Sequence, residues 1–222
     1  MVQVLENPNE QLENLNEQIE RAGNAVKDAW WNVHLYTQNP VTDEQIEDII
    51  SRHPELNFEV TAEGDLVIMP PTYTRTGNRN FNLNTEFGIW VRKDGTGAGF
   101  DSSTLFTLPN GARRAPDVSW ISKKRLATLD EKQKEKFVPL CPDFVIELRS
   151  ATDNLKTLQA KMREYIENGA QLGWLLDPNT RHVYVYRADG SVEDLDNPAS
   201  VAGDPVLPGF VLEVHVVWNA DF

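Results

Sequence analysis

The chain has 222 residues, 40% of them hydrophobic and 25% charged, with a formal net charge of −13. A real core is expected within a length that one α/β domain commonly fills, while so acidic a balance argues against a general nucleic-acid binder, because phosphate affinity comes from Lys and Arg. The single cysteine, Cys141, excludes a disulfide framework and a cysteine zinc cluster. No run nears the ~20 apolar residues of a membrane span, and the acidic, polar N-terminal segment has neither region of a signal peptide. A cytoplasmic location without a membrane partner is expected.

Residues 8–30 read as a helix, with Leu12, Leu15, Ile19 and Ala22 at three- and four-residue steps and Gly23 as an interruption. A second helix begins near Thr42, where Thr42 and Gln45 have capping-box spacing and Val41 and Ile46 that of a hydrophobic staple; it stops before His53-Pro54. Residues 1–40 are expected to be an acidic helical extension of a main domain over 41–222, since residues 1–60 hold 12 acidic and 3 basic side chains. A hairpin follows, with strands at 57–61 and 65–69 around Glu63-Gly64, closed by Pro70-Pro71.

The spacing of Leu83, Phe87, Trp90 and Val91 predicts a helix over 76–93. Gly95, Gly97 and Gly99 then read as a loop, without the helix that would make them a phosphate cradle. Strands are expected near 99–108 and 117–121, joined through the turn Pro109-Asn110-Gly111. Between 113 and 136 the charge reverses to +4, through Arg113, Arg114, Lys123, Lys124, Arg125, Lys132, Lys134 and Lys136. That segment is either a phosphate-backbone contact or a solvated face. A strand at 143–148, an amphipathic helix at 155–168 closed by Gly169, strands at 172–177 and 182–187, and a final strand at 210–217 complete an α/β order with a mixed sheet.

Two acids stand out by position. Asp117 opens an apolar strand, and Glu147 closes one after Phe144, Val145 and Ile146. A carboxylate at the end of a buried strand is costly to desolvate without a positive partner, either a metal ion or a Lys or Arg. Alternation puts Arg149 on the same side as Glu147, so a plain Glu147–Arg149 ion pair is one reading. Lys161 and Tyr165 share a face of the helix that returns from Glu147. Two carboxylates and a lysine are the parts that hold Mg²⁺ and activate water. His34, His53, His182 and His215 lack ligand spacing, and no serine sits in a nucleophile elbow. Trp90, Trp120, Trp174 and Trp218 read as core, and Trp30-Trp31 as a packing or dimer contact.

The segments PELNFEVTAEGDLVIMPPT, RRAPDVSWI, CPDFVIELRSATDNLKTLQAKMREYIENG and QLGWLLDPNTRHVYVYR resemble the Uma-type endonuclease family of the PD-(D/E)XK restriction-endonuclease-like superfamily, over about 55–217. The resemblance implies a restriction-endonuclease-like α/β core, a mixed β-sheet flanked by helices, and a metal-dependent phosphodiesterase site. Pro116-Asp117 matches the PD, and Glu147 matches the acid of the (D/E)XK. Arg149 stands where the lysine would be, and Lys161 fits a lysine moved to the next helix; arginine is a poor substitute for a catalytic lysine. Glu59 matches the acid this family carries at the start of its hairpin, whereas Glu86 is where the wider superfamily often places one. Glu59 is preferred as the fourth site residue.

Two functions follow. One is an endonuclease cutting nucleic acid, DNA being expected, with Mg²⁺ or Mn²⁺ on Asp117 and Glu147 and, by analogy with enzymes that cut two strands, a homodimer. The other is a catalytically silent binding or assembly module, to which the net charge and Arg149 point.

Overall fold

The structure is a computed structural model that describes residues 8–28, 33–36, 40–54, 56–69 and 71–219. Trp30 and Trp31 lie outside the described residues. The chain forms two compact units, Met1–Pro71 and Thr72–Phe222.

The first unit contains α1 (Pro8–Asp28), β1 (Val33–Leu35), α2 (Asp43–Arg52), β2 (Asn57–Val60) and β3 (Leu66–Met69). α1 continues through Gly23, where an interruption was expected. Its buried Leu15 and Ile19 supply the apolar stripe, and Asn16 donates to Asp48 of α2 at 3.3 Å. α2 begins as its sequence predicts: Thr42 Oγ1 accepts the Gln45 N–H, and the Gln45 side chain accepts the Thr42 N–H. β2 and β3 form the expected antiparallel hairpin. Gly64 turns it at φ +95°, and a Cβ there would lie 2.6 Å from Pro40 Cα, so glycine is required. β1 adds to β3 antiparallel, a strand too short to announce itself by alternation.

The second unit contains α3 (Thr74–Asp94), β4 (Gly97–Asp101), β5 (Phe106–Thr107), β6 (Arg113–Arg114), β7 (Val118–Ser122), α4 (Lys123–Leu126), α5 (Glu131–Lys134), β8 (Phe144–Leu148), α6 (Leu155–Glu167), β9 (Leu172–Asp177), β10 (His182–Arg187), β11 (Val192–Asp196), β12 (Ser200–Ala202), β13 (Val211–Glu213) and α7 (His215–Trp218). Six strands make a sheet in the order β11-β10-β9-β8-β7-β4. β8 and β9 run parallel and the other neighbours antiparallel. This is the mixed sheet flanked by helices that the sequence implies. The two central strands are buried at every residue, which explains why they read as unbroken apolar runs. On one face Leu83 and Phe87 of α3 join Phe144, Ile146, Trp174 and Phe210. On the other, Met162 and Tyr165 of α6 join Val145, Leu175 and Tyr186.

Three expectations need correction. The glycine-spaced stretch is the edge strand β4 rather than a loop. A Cβ on Gly97 would lie 2.2 Å from the Trp120 indole, so that glycine makes room for the ring that covers it. The expected single strand over 99–108 divides into β4 and β5. The alternating segment 210–217 is strand only at β13 and then turns into α7. α3 satisfies carbonyls of that turn, with Arg79 Nε donating to Val217 O at 2.8 Å and Asn82 to Val216 O at 3.2 Å. Among the described residues no helix is long and apolar enough to cross a membrane.

Candidate active site

β7 and β8 pair antiparallel with Val118 opposite Ile146. Asp117 immediately precedes β7 and Glu147 immediately follows Ile146, so the two acids lie at the same end of the paired strands. Strand pairing thus brings to one end of the sheet the two acids that the sequence singles out, thirty residues apart in the chain. Glu147 is buried at the end of β8. Its Oε1 accepts the Tyr165 hydroxyl at 2.9 Å and lies 2.9 Å from Lys161 Nζ. Lys161 and Tyr165 are one turn apart on α6, whose start is capped by Asn154, its side chain accepting from the N–H groups of Lys156 and Thr157. Lys161 therefore reaches Glu147 from the helix, and its ammonium also lies 5.9 Å from the Tyr165 ring centre.

Asp117 is held differently. Its Oδ2 accepts the Leu148 N–H at 2.8 Å, its Oδ1 accepts the Asn80 amide at 3.0 Å, and Asn84 donates to its backbone carbonyl at 3.4 Å. Burial pushes the Asp117 carboxyl above its ordinary pKa, and the Asp153 charge adds to this. The Leu148 N–H, the charge of Lys161 and the Asn80 amide oppose the rise without cancelling it. A carboxylate whose surroundings disfavour its charge is stabilised by any cation that arrives.

Arg149 does not pair with Glu147. Its Nη1 donates to the fully buried Asp177 at 2.7 Å and its Nε to the Asp153 carbonyl at 3.2 Å. The Glu–Arg reading is overturned because β9, not β8, supplies the arginine's acid. Glu59 lies in the first unit, buried on β2 opposite Val67. Glu86 is exposed on α3.

The sequence reading missed Asn80 and Asn84. Their signal was an i, i+4 asparagine pair beside Leu83 and Phe87, on a helix face turned toward the core. The basic stretch also reads differently in three dimensions. Arg114 pairs with Glu164 at 2.6 Å, Arg125 with Asp143 at 2.8 Å, and Lys134 with Glu131 at 2.6 Å. Lys123 and Lys124 follow the far end of β7, five residues beyond the Asp117 end.

Among the described residues, no three His, Cys, Asp or Glu side chains gather as a metal cluster. The donors at the Asp117 end are two carboxylates, with the Asn80 Oδ1 buried and lacking a hydrogen-bond partner among the described residues. All are hard oxygens. They fit a magnesium-like ion, which takes one or two carboxylates and keeps several waters, better than zinc.

The sheet order, the flanking helices and this acid pair with its lysine define a restriction-endonuclease-like α/β fold. The chain belongs to the Uma2 family, described as "Putative restriction endonuclease", which matches residues 43–215. No curated protein sequence matches it. Among solved structures, it is similar to a protein from Anabaena variabilis described as "a putative nuclease belonging to DUF820", with TM-score 0.65 and 20% identity over 81% of this chain and 98% of that one. At that identity the likeness speaks for the fold.

Proposed function

We propose that this protein is a metal-dependent endonuclease hydrolysing phosphodiester bonds of nucleic acid, with DNA as the expected substrate. The observation that carries the reading is the meeting of Lys161 and Tyr165 on one oxygen of Glu147, at the strand end where register brings Asp117 alongside. In this reading Asp117 and Glu147 hold Mg²⁺ or Mn²⁺. Such an ion, when bound, supplies charge stabilisation and lowers the pKa of water. Hydrolysis forms a bond from water oxygen to phosphorus and breaks one P–O ester bond, whose oxygen leaves with the electron pair and takes a proton. Lys161 keeps its ammonium beside the reacting phosphate, where it steadies negative charge on the oxygens. Tyr165 fixes the Glu147 oxygen that Lys161 touches. Family membership and the fold of the Anabaena neighbour support the reading. Two copies acting together would cut both strands of a duplex, so a homodimer belongs to the proposal.

The test is cleavage of plasmid and single-stranded substrates with Mg²⁺ or Mn²⁺. The parent should cut, and Asp117→Ala, Glu147→Ala and Lys161→Ala should each lose about a hundredfold or more in rate, the scale of removing one preorganised charge from a phosphoryl-transfer site. Three variants that cut as fast as the parent would end the assignment. A parent that neither cuts nor binds Mn²⁺ through Glu147 would instead be a silent binding module.

A further inference from the structure

Arg149 stands where the resemblance to the wider superfamily's motif would put a lysine, yet its guanidinium is engaged by partners other than Glu147. One nitrogen reaches Asp177 at the end of β9, and another reaches the Asp153 carbonyl in the loop that leads into α6. The rest of that loop is tied to the same two anchors. Asp153 Oδ2 accepts the Ser150 N–H at 2.8 Å, and the Asn179 amide donates to Ser150 O at 3.2 Å. Asp177 in turn accepts the Asn179 N–H at 3.0 Å and the Thr180 hydroxyl at 2.9 Å. The Arg149 backbone N–H continues the β8–β9 ladder to Leu176 O at 2.9 Å. Glu147 sits two residues before this knot and Lys161 lies on the helix that leaves it. The loop between 149 and 154 therefore sets the distance between the acid and the amine.

We infer that Arg149 is a positioning residue, a two-armed brace that fixes the start of α6 against β9 so that Lys161 meets Glu147. The inference rests on the nuclease reading for its kinetic consequence, not for its structural one. A lysine at this position is a compact charge without the planar fork that sets Nε on the Asp153 carbonyl and Nη1 on Asp177 at once, so it braces the two less rigidly. The position is thus committed to bracing, and the amine of the site arrives from the helix instead.

The experiment compares the parent with Arg149→Lys, Asp177→Asn and the double variant Arg149→Lys/Lys161→Ala. Four readouts are used: kcat, KM, Mn²⁺ affinity by calorimetry, and amide hydrogen exchange. Arg149→Lys should lower kcat about ten- to a hundredfold, the cost of a misplacement of about an ångström, with KM and the Mn²⁺ Kd within about threefold. Asp177→Asn should show the same selective loss. Exchange over 150–158 should rise about tenfold in both while β8 and β9 stay protected. The double variant should be no faster than Lys161→Ala alone. Parental kcat in both Arg149→Lys and Asp177→Asn overturns the inference, as does a double variant that recovers more than about tenfold over Lys161→Ala, because residue 149 would then face the site. Should Arg149→Lys fail to fold, Asp177→Asn decides alone by the same criteria. A parent that cuts nothing ends the nuclease reading only; faster exchange over 150–158 in the variants still supports the brace, and unchanged exchange ends it.

Discussion

The β7–β8 pair carries a buried carboxylate at each end, and the two ends are built on different terms. At one end Asp143 is gripped by Arg125 at 2.8 Å and by the Ser122 N–H at 2.8 Å. At the other, roughly 13 Å away for four residues of strand, Asp117 receives a backbone N–H and an asparagine amide, and Glu147 receives a lysine and a tyrosine hydroxyl. Arginine never gives up its proton and holds a carboxylate in a planar fork, so an acid so clamped is a fastener. Neutral donors leave Asp117 a cost that burial imposes, and a cation can relieve it. The contrast separates acids that fasten the fold from those to which the proposed nuclease reading gives chemistry. Asp177, gripped by Arg149, falls with Asp143.

The contrast can be broken most forcefully at the fastened end. Asp143→Ala strands the Arg125 charge and the Ser122 N–H, and should cost roughly 2–4 kcal/mol in urea unfolding; the Arg125 side chain is 31% exposed, which holds the loss below that of a wholly buried pair. A loss under half a kcal/mol would erase the distinction between the ends.

A smaller effect of opposite sign is expected at the other end. Burial raises the Asp117 pKa in the folded state, so this group's contribution to stability is present below its unfolded pKa and is lost as pH rises through the raised native one. Above that raised value the ionised carboxylate is a cost to the metal-free protein. Asp117→Asn should therefore raise the metal-free thermal midpoint at pH 7, by roughly 1–4 °C, and the gain should shrink as pH falls toward 4. Added Mn²⁺ should raise the midpoint of the parent and not of the variant. A lower midpoint for Asp117→Asn at pH 7 would contradict the account.

The smallest effect concerns an exposed pair. The Asp194 carboxylate, 2.6 Å from His182 Nδ1, raises the His182 pKa. Its stabilisation is present below the ordinary histidine pKa and lost as pH rises through the raised native value. NMR titration should find that raised value, and His182→Gln should flatten this part of the stability profile only slightly, since solvent screens the pair.

How much of this was legible in the sequence depended on how local each cause was. The capping box at Thr42, the stripe of α6 and the Lys161–Tyr165 face follow from neighbours a few residues apart, and all appear in the fold. The partner of Arg149 was not legible. Alternation along one strand suggested Glu147, whereas the answer came from Asp177, 28 residues later, brought alongside by the parallel β8–β9 pairing. Asn80 and Asn84 were hidden for a related reason: asparagine in a helix carries no strong preference of its own, and only the Asp117 end of the sheet gives the pair a purpose. The tail misled because Phe210, Leu212 and Val214 are buried at strand spacing and the helix that follows is capped by distant α3 side chains.

The margin of the sheet has a consequence for crowded solutions. β11, the outermost strand, presents Glu193, Asp194 and Asp196, and all but one of its residues are exposed. A second molecule offering the same strand would bring like charges together just where backbone groups could otherwise zip. Growth of the sheet from copy to copy is thereby discouraged at this border.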